Sequence, residues 1–510
     1  MTRSRQRTRR THDRRAQPIP QLPWGQPRLR TPFVEILSED EIASIHQTSL
    51  KILEEIGIVF NDDEAVEVFK NGGALVGDDG NVRIGRELVA EALRTAPGSF
   101  TLTPRDPEKV VEIGADALAF TTVLGPPYCS DIERGRRVGT LADFADFVRL
   151  GQYFNIIHMI AGSPVEPGDI EVDIRHIEST RTMLKLSDKV PYLFAQSRQR
   201  LWDGMELVAR SLGYESREQL AERPRLYSII NTNSPLQYDG PMASGTIELA
   251  RHNQLPVISP FSLAGATMPL PITGAVAMSN AEALAGIVLA QLVRPGAPVV
   301  TAAKTVNVDM KTGAPAFATP ESNKAVQIGA QLARHNGLPF RAANFNNSNT
   351  VDAQCLYEAQ GSLWAAVTSG TNLVMHAAGW LEGGLCSSFE KFILDVEILQ
   401  MMKVWLDPVP VNDEVLSIDE IKFVGPGGHF FGTERTIAGY ESAFYNPLIT
   451  NTLNYKAWEA AGSRDATVRA HQIYKRAVDE YEAPKMPEAI ARAVDQFADE
   501  RIAVGGAPIT

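Results

Sequence analysis

From about residue 116 the chain settles into one repeated pattern, a short apolar or β-branched run followed by a longer stretch of helical periodicity. The runs fall at 117–123, 156–162, 191–196, 226–232, 256–262, 298–303, 338–344 and 373–378. Helical patterns occupy 141–154, 169–186, 202–212, 242–252, 274–292, 321–335 and 353–368, and a further one at 389–405 follows the last run. A spacing of about 30 to 45 residues is what a strand, a helix and two loops require. Strands joined by crossover helices run parallel, since parallel neighbours cannot be joined by a tight hairpin. Eight such units predict an α/β chain folded as a (β/α)8 TIM barrel over 116–410. An open doubly wound sheet is the competing topology, and it normally carries a glycine-rich phosphate turn after its first strand. Here that position reads Leu124-Gly125-Pro126-Pro127-Tyr128, where the prolines remove donors needed to cradle phosphate.

The flanks follow other patterns. Residues 33–115 read as a helical N-terminal region. Ser38-Glu39-Asp40-Glu41 is a capping box, Ile42, Ile45, Ile52, Leu53 and Ile56 follow at helical spacing, and Gly57 stops the helix. Stretches 62–71 and 85–95 are also helical in pattern. Residues 411–510 read as a C-terminal cap, with helical stretches near 457–482 and 487–502. Residues 1–32 read as a disordered basic and Pro-rich arm, with seven arginines against the single acid Asp13 in the first fifteen residues. The arm has no apolar segment and is not a secretory signal. A docking role towards an acidic partner is its alternative reading.

The formal net charge of −12 argues against nucleic acid and anionic membranes as partners. No apolar run of about 18 residues escapes charge, Gly or Pro, so no membrane span is expected. Cys129, Cys355 and Cys386 are too scattered for a C-x-x-C pair or a disulfide framework, which points to a reducing cytoplasm. No H-E-x-x-H, G-x-S-x-G or P-loop occurs.

In a barrel, reactive groups sit where strands run into the βα loops. The candidates at those places are Tyr128, Asp131, Ser163, Arg198, Asn231, Asn233, Phe261, Lys304, Asn307, the run Phe345-Asn346-Asn347-Ser348-Asn349, and His376 with Trp380 and Glu382. A lone Asn there is as often a turn former as a ligand. The strand-end position of His376 favours function over a satisfied core histidine.

Three stretches, Ser348-Asn349-Thr350-Val351-Asp352-Ala353-Gln354, His376-Ala377-Ala378-Gly379-Trp380-Leu381-Glu382-Gly383-Gly384 and Gly427-Gly428-His429-Phe430-Phe431-Gly432, together resemble the trimethylamine methyltransferase family. The resemblance spans about residues 33 to 500. The family's archetype carries pyrrolysine in the loop after the seventh strand. This chain has ordinary residues there, and the missing pyrrolysine falls near Thr350. The resemblance is thus to the branch without pyrrolysine, for which glycine betaine is the best-known substrate class.

That branch implies methyl transfer from a small quaternary amine to a Co(I) corrinoid carried by a partner protein, with no metal of the chain's own. A quaternary ammonium has no lone pair for an adduct and departs as a neutral tertiary amine, so the protein need only hold it with one methyl in line. Aromatic faces suit such a cation. Tyr128, Phe261, Phe345, Trp380 and Phe389 are the cage candidates. Asn346, Asn347, Arg198 and Lys304 are candidate donors to a betaine carboxylate. The resemblance places His376 at the methyl-transfer site, and it implies a homo-oligomer. Two alternatives stay open: a zinc-dependent corrinoid methyltransferase using Cys129, Cys355, Cys386 and His376, and a non-catalytic betaine-binding barrel.

Overall fold

The structure, a computed structural model, describes residues 18–302 and 304–509 and, of Lys304, the backbone alone. The chain is a mixed α/β protein organised on one parallel sheet. Its strands are β1 (Ala119–Thr122), β2 (Tyr227–Ile230), β3 (Leu255–Ile258), β4 (Val300–Ala302), β5 (Phe340–Ala343) and β6 (Leu373–Ala378). They are ordered β1-β6-β5-β4-β3-β2, with every pairing parallel. Every residue in them is buried. Burial on both faces explains why they read as continuous apolar runs rather than alternating ones.

Two of the eight runs, 156–162 and 191–196, form no regular strand among the described residues. They contribute single parallel bridges, Thr121 to Met159, Met159 to Val190 and Tyr192 to Tyr227. Pro191 has no N–H to give to a ladder. The bridges lead from edge strand β1 to edge strand β2, so the sheet curls strongly on itself.

The crossover helices lie close to their sequence expectations: α4 (Leu141–Tyr153), α5 (Val172–Leu186), α6 (Arg198–Ser211), α7 (Gly240–Arg251), α8 (Ile272–Val293), α9 (Pro320–His335), α10 (Ala353–Thr368) and α11 (Phe389–Leu406). Helix α8 is long and apolar enough to cross a membrane by composition, yet 78% of its apolar window is buried inside the protein. Its one acid, Glu282, is buried and accepts from Ser234 Oγ and Leu236 N at 2.8 Å. It is a core helix.

Helices α1 (Glu39–Lys51), α2 (Asp63–Asn71) and α3 (Arg86–Thr95) pack against α8. The Ser38/Glu41 capping box is formed, and a five-residue π-helical turn, Ile52–Ile56, ends at Gly57 with φ 85°. The region expected to be helical also holds strands. Ile58–Phe60 pairs antiparallel with Asn81–Arg83 and parallel with Gln237–Tyr238. The alternation in these three-residue strands is too short to have been read from the sequence.

The expected disorder of 1–32 does not extend through 18–32. Leu22 N donates to Gln400 Oε1 at 2.7 Å, Arg28 pairs with Glu112 and Asp116, and Ile19 and Leu29 are buried. The arginine-rich residues before Pro18 lie outside the described residues. At the other end, the helical stretch expected near 457–482 divides into α15 (Tyr455–Ala460) and α16 (Ala466–Asp479). The break falls at Gly462 and Ser463, both at positive φ. Helix α16 lies on α11 and α4, and α17 (Glu488–Ala503) lies on α5 and α6.

Candidate functional site

Loops at the C-terminal ends of the strands surround a cavity of about 290 Å³, lined by Leu124, Gly125, Ile229, Asn231, Ser259, Phe261, Phe317, Arg341, His376, Trp380, Gly383 and Gly384. No carboxylate is among those residues.

One wall is aromatic. Phe317 lies parallel to Phe261 at 6.4 Å between centroids and edge-on to Trp380 at 5.6 Å, while Phe345 stands 5.1 Å from Phe317 and 5.0 Å from Trp380. Two asparagines of the Asn-rich loop hold this wall. Asn346 Nδ2 donates to Trp380 O at 2.7 Å, and Trp380 Nε1 donates back to Asn346 O at 3.0 Å. Asn347 Nδ2 donates to Phe317 O at 2.7 Å, and its Oδ1 accepts from Phe317 N at 3.2 Å. Gly384, at φ 98°, lets the Trp380 ring pack on its backbone, since a Cβ there would fall 2.6 Å from the ring. The strand end is anchored from behind by buried Asp395, which accepts from Gly379 N at 2.9 Å and from Asn344 Nδ2 at 3.1 Å and pairs with Lys391.

His376 lies in this wall, 4.6 Å from Trp380 and 5.9 Å from Phe345 between ring centroids. Its φ is 53°, and the β6–β1 register shifts between Val374 and Ala378. Such a backbone costs about 1–3 kcal/mol at a non-glycine residue and persists where surrounding structure imposes it. Leu124 N donates to His376 Nδ1 at 3.2 Å, so the neutral ring carries its proton on Nε2.

Opposite in chemistry is Arg341, in the middle of β5 and 1% exposed. Its Nη1 lies 3.4 Å from Ser259 Oγ, and its Nε and Nη2 have no hydrogen-bond partner. Burial pushes it down to about 10, offset in part by Tyr227, which leaves it cationic at neutral pH. Burying an ion costs several kcal/mol unless it is paired and hydrogen-bonded. A guanidinium with open donors at a cavity wall can receive an anion.

The structure thus brings together His376, Trp380, Phe345, Phe261 and Asn231 from the sequence candidates, with Asn346 and Asn347 as clamps on the wall. It places three others elsewhere. Phe389 is fully buried, stacked on Phe147 at 4.0 Å and Tyr474 at 4.5 Å. Tyr128 lies under Arg136 at 3.7 Å, and Arg136 pairs with Glu382 at the rim of a neighbouring cleft that also takes Asn349 and Thr350. Arg198 heads α6 and pairs with Glu64 of α2 at 2.5 Å. The Lys304 side chain lies outside the described residues.

Phe317 and Arg341 were not singled out from the sequence. Arg341 had a signal, a lone charge within the apolar run 338–344.

Two outcomes follow from these placements. Phe389→Ala is expected to cost about 3–5 kcal/mol in urea unfolding through the cavity it leaves, without loss of ligand affinity in the folded protein. Arg198→Ala is expected to leave the KM unchanged and to lower stability by no more than about 1 kcal/mol, checked by steady-state kinetics and thermal unfolding.

The three cysteines are buried away from the cavity, and burial pushes Cys129 up to about 12 and Cys355 and Cys386 up to about 11. Among the described residues no group of three His, Cys, Asp or Glu side chains is arranged to hold a metal.

A family model described as trimethylamine methyltransferase (MTTB) matches residues 3–506. The chain belongs to the trimethylamine methyltransferase family. It is 35% identical over 471 residues to a glycine betaine methyltransferase of Desulfitobacterium hafniense strain Y51, covering 92% of this chain and 98% of that one. It is 28% identical to a trimethylamine methyltransferase, MttB, of Desulfitobacterium hafniense strain DSM 10664 / DCB-2, covering 91% of this chain and 93% of that one. Among solved structures, the monomethylamine methyltransferase MtmB of Methanosarcina barkeri aligns with a TM-score of 0.45 at 10% identity, covering 93% of this chain and 99% of that chain. Within this methyltransferase family, the present chain has only ordinary residues in its Asn349–Asp352 loop.

Proposed function

We propose that this enzyme takes a methyl group from glycine betaine or a related betaine and passes it to the corrinoid of a partner protein. The observation that carries the choice of substrate is Arg341, buried at the cavity with two nitrogens unpartnered. A betaine has a quaternary ammonium for the aromatic wall and a carboxylate for the guanidinium. Trimethylamine offers the second group nothing. The 35% identity to a glycine betaine methyltransferase supports the same reading.

We read the curled sheet and its three bridges as an eight-stranded barrel with the cavity at its mouth. At Gly125 a Cβ would meet nothing within 4 Å, so that edge of the cavity is free to be approached closely. When bound, the corrinoid supplies the nucleophile that accepts the methyl. The chain's own residues do the rest. Phe261, Phe317 and Trp380 hold the cation, and Arg341 fixes the far end so that one N-methyl is held in line. The leaving amine is neutral and needs no proton, which agrees with a cavity wall free of carboxylates. We place His376 at the transfer end of the site, its ring fixed by Leu124 N. With three unpaired buried thiols, we place the protein in the reducing cytoplasm.

The test is turnover with reduced corrinoid protein, read as dimethylglycine released from glycine betaine. Turnover with glycine betaine and none with trimethylamine supports the reading, and the reverse overturns it. His376→Ala is expected to lower kcat at least about a hundredfold, the scale of a misplaced reacting geometry, while glycine betaine still binds by calorimetry. An unchanged kcat would remove His376 from the reaction.

A further inference from the structure

Helix α10 turns two side chains of one face onto the backbone of the Asn-rich loop. Ser362 Oγ accepts from Phe345 N at 3.2 Å. One turn earlier, the buried Glu358 Oε2 accepts from Asn347 N at 2.8 Å and from Ser348 N at 3.2 Å, and its Oε1 accepts from Gln354 Nε2 at 2.9 Å. Glu358 is not among the residues that line the cavity. The loop it holds from behind is the one that grips the aromatic wall in front. Asn347 takes both backbone polar groups of Phe317. Asn346 O accepts from Trp380 Nε1 at 3.0 Å and from Gly383 N at 3.1 Å, and Ser348 O accepts from Glu382 N at 2.9 Å. Glu382 and Gly383 both stand at positive φ, 53° and 60°, and at a non-glycine residue such a backbone persists only where its surroundings impose it.

The carbonyl of Asn346 and the N–H of Asn347 belong to one peptide unit. In a planar trans peptide these two groups point in opposite directions. A carboxylate that holds the N–H from the α10 side therefore aims the carbonyl at Trp380 and Gly383 on the cavity side. We propose that Glu358 is a positioning residue of the catalytic cavity, setting the seats of Trp380 and Phe317 through the Asn346–Asn347 peptide. The proposal rests on the reading of that wall as the seat of the substrate cation. Both loop amides go to one oxygen, Oε2, so the carbonyl oxygen of a glutamine can take its place. An aspartate keeps the charge and is one methylene too short. Reach, rather than charge, is what the loop requires.

Three variants test this, Glu358→Gln, Glu358→Asp and Glu358→Ala, each read in two ways. In turnover with reduced corrinoid protein, Glu358→Asp and Glu358→Ala are expected to lower kcat/KM for glycine betaine at least about a hundredfold, the scale of a reacting geometry displaced by about 1 Å. Glu358→Gln is expected to lower it no more than about tenfold, because a neutral acceptor replaces a charged one. Hydrogen exchange on the ligand-free protein should be faster in 345–349 and 380–384 for Glu358→Asp and Glu358→Ala, and close to that of the unaltered protein for Glu358→Gln. If Glu358→Ala does not fold, the contrast between Glu358→Asp and Glu358→Gln decides. Loss in Glu358→Gln as deep as in Glu358→Asp overturns the proposal, since charge would then be acting. A lower melting temperature in Glu358→Asp with unaltered kcat/KM and unaltered exchange in 380–384 also overturns it, since the role would then be structural alone. If the unaltered enzyme does not turn over glycine betaine, the substrate reading falls, and the exchange pattern, which needs no substrate, still decides for or against Glu358.

Discussion

Arg341→Met is expected to abolish detectable glycine betaine binding while raising the stability of the ligand-free protein. The two effects have one origin. Arg341 is fully buried with Nε and Nη2 unpartnered, so the empty site carries the desolvation penalty of an unpaired charge. A methionine of similar length removes that penalty, and exchanging buried ionic groups for apolar ones stabilises by about 1–4 kcal/mol where packing is kept. With ligand present the balance reverses, because losing one partner of a buried, hydrogen-bonded charge pair costs about 2–5 kcal/mol, roughly 30- to several-thousand-fold in Kd. Thermal unfolding with and without glycine betaine checks both signs on one sample. The variant should melt higher than the unaltered protein without ligand and show no shift on adding it. A variant that melts lower and still shifts with glycine betaine would mean that Arg341 is a structural residue.

The second large effect is expected from Trp380→Leu. The indole lies against His376, Phe345 and Phe317, and its Nε1 is tied to the Asn346 carbonyl. Leucine keeps an apolar wall and removes the π face. A desolvated cation–π contact is worth about 2 kcal/mol, or close to 30-fold in affinity. Loss of the Asn346 tie and of the packing that seats His376 should lower kcat as well. A trimethylammonium ligand without a carboxylate should lose the same factor as glycine betaine, since both use the ring through the cation. If glycine betaine alone weakened, Trp380 would be acting on the carboxylate end instead.

How far the site was legible depends on the kind of signal each residue leaves. His376 and Trp380 stand out because polar and aromatic residues close an apolar strand. The strand itself was legible from its short, mostly apolar run. The six strands of the sheet and the helices α4 to α11 follow in the same way from runs and periodicity. The tail did not follow. Near 457–482 the helical pattern runs across Gly462 and Ser463, where the backbone turns to positive φ, and the exposed aromatic residues of 407–447 read like any others in a linear sequence. Phe389 illustrates the limit. It follows the eighth strand as a cage residue would, but the start of α11 turns it outward onto Phe147 and Tyr474. Asn346 and Asn347 look like ligand donors in the sequence, and in three dimensions the side-chain NH2 of Asn346 goes to Trp380 O and the whole amide of Asn347 to Phe317. Arg341 was hidden because an apolar run is read for its majority, and one charge in it reads as an exception. That charge is the most informative residue in the site, since a buried ion without a counter-ion asks for one.

The account turns on a zwitterionic ligand, so the most direct measurement is calorimetric affinity for glycine betaine and for choline, which share the trimethylammonium head and differ in the carboxylate. The account predicts that glycine betaine binds more tightly by at least about 2 kcal/mol, roughly 30-fold, and that Arg341→Met erases the difference between them. Equal affinities for the two ligands, or a preference for choline, would contradict it.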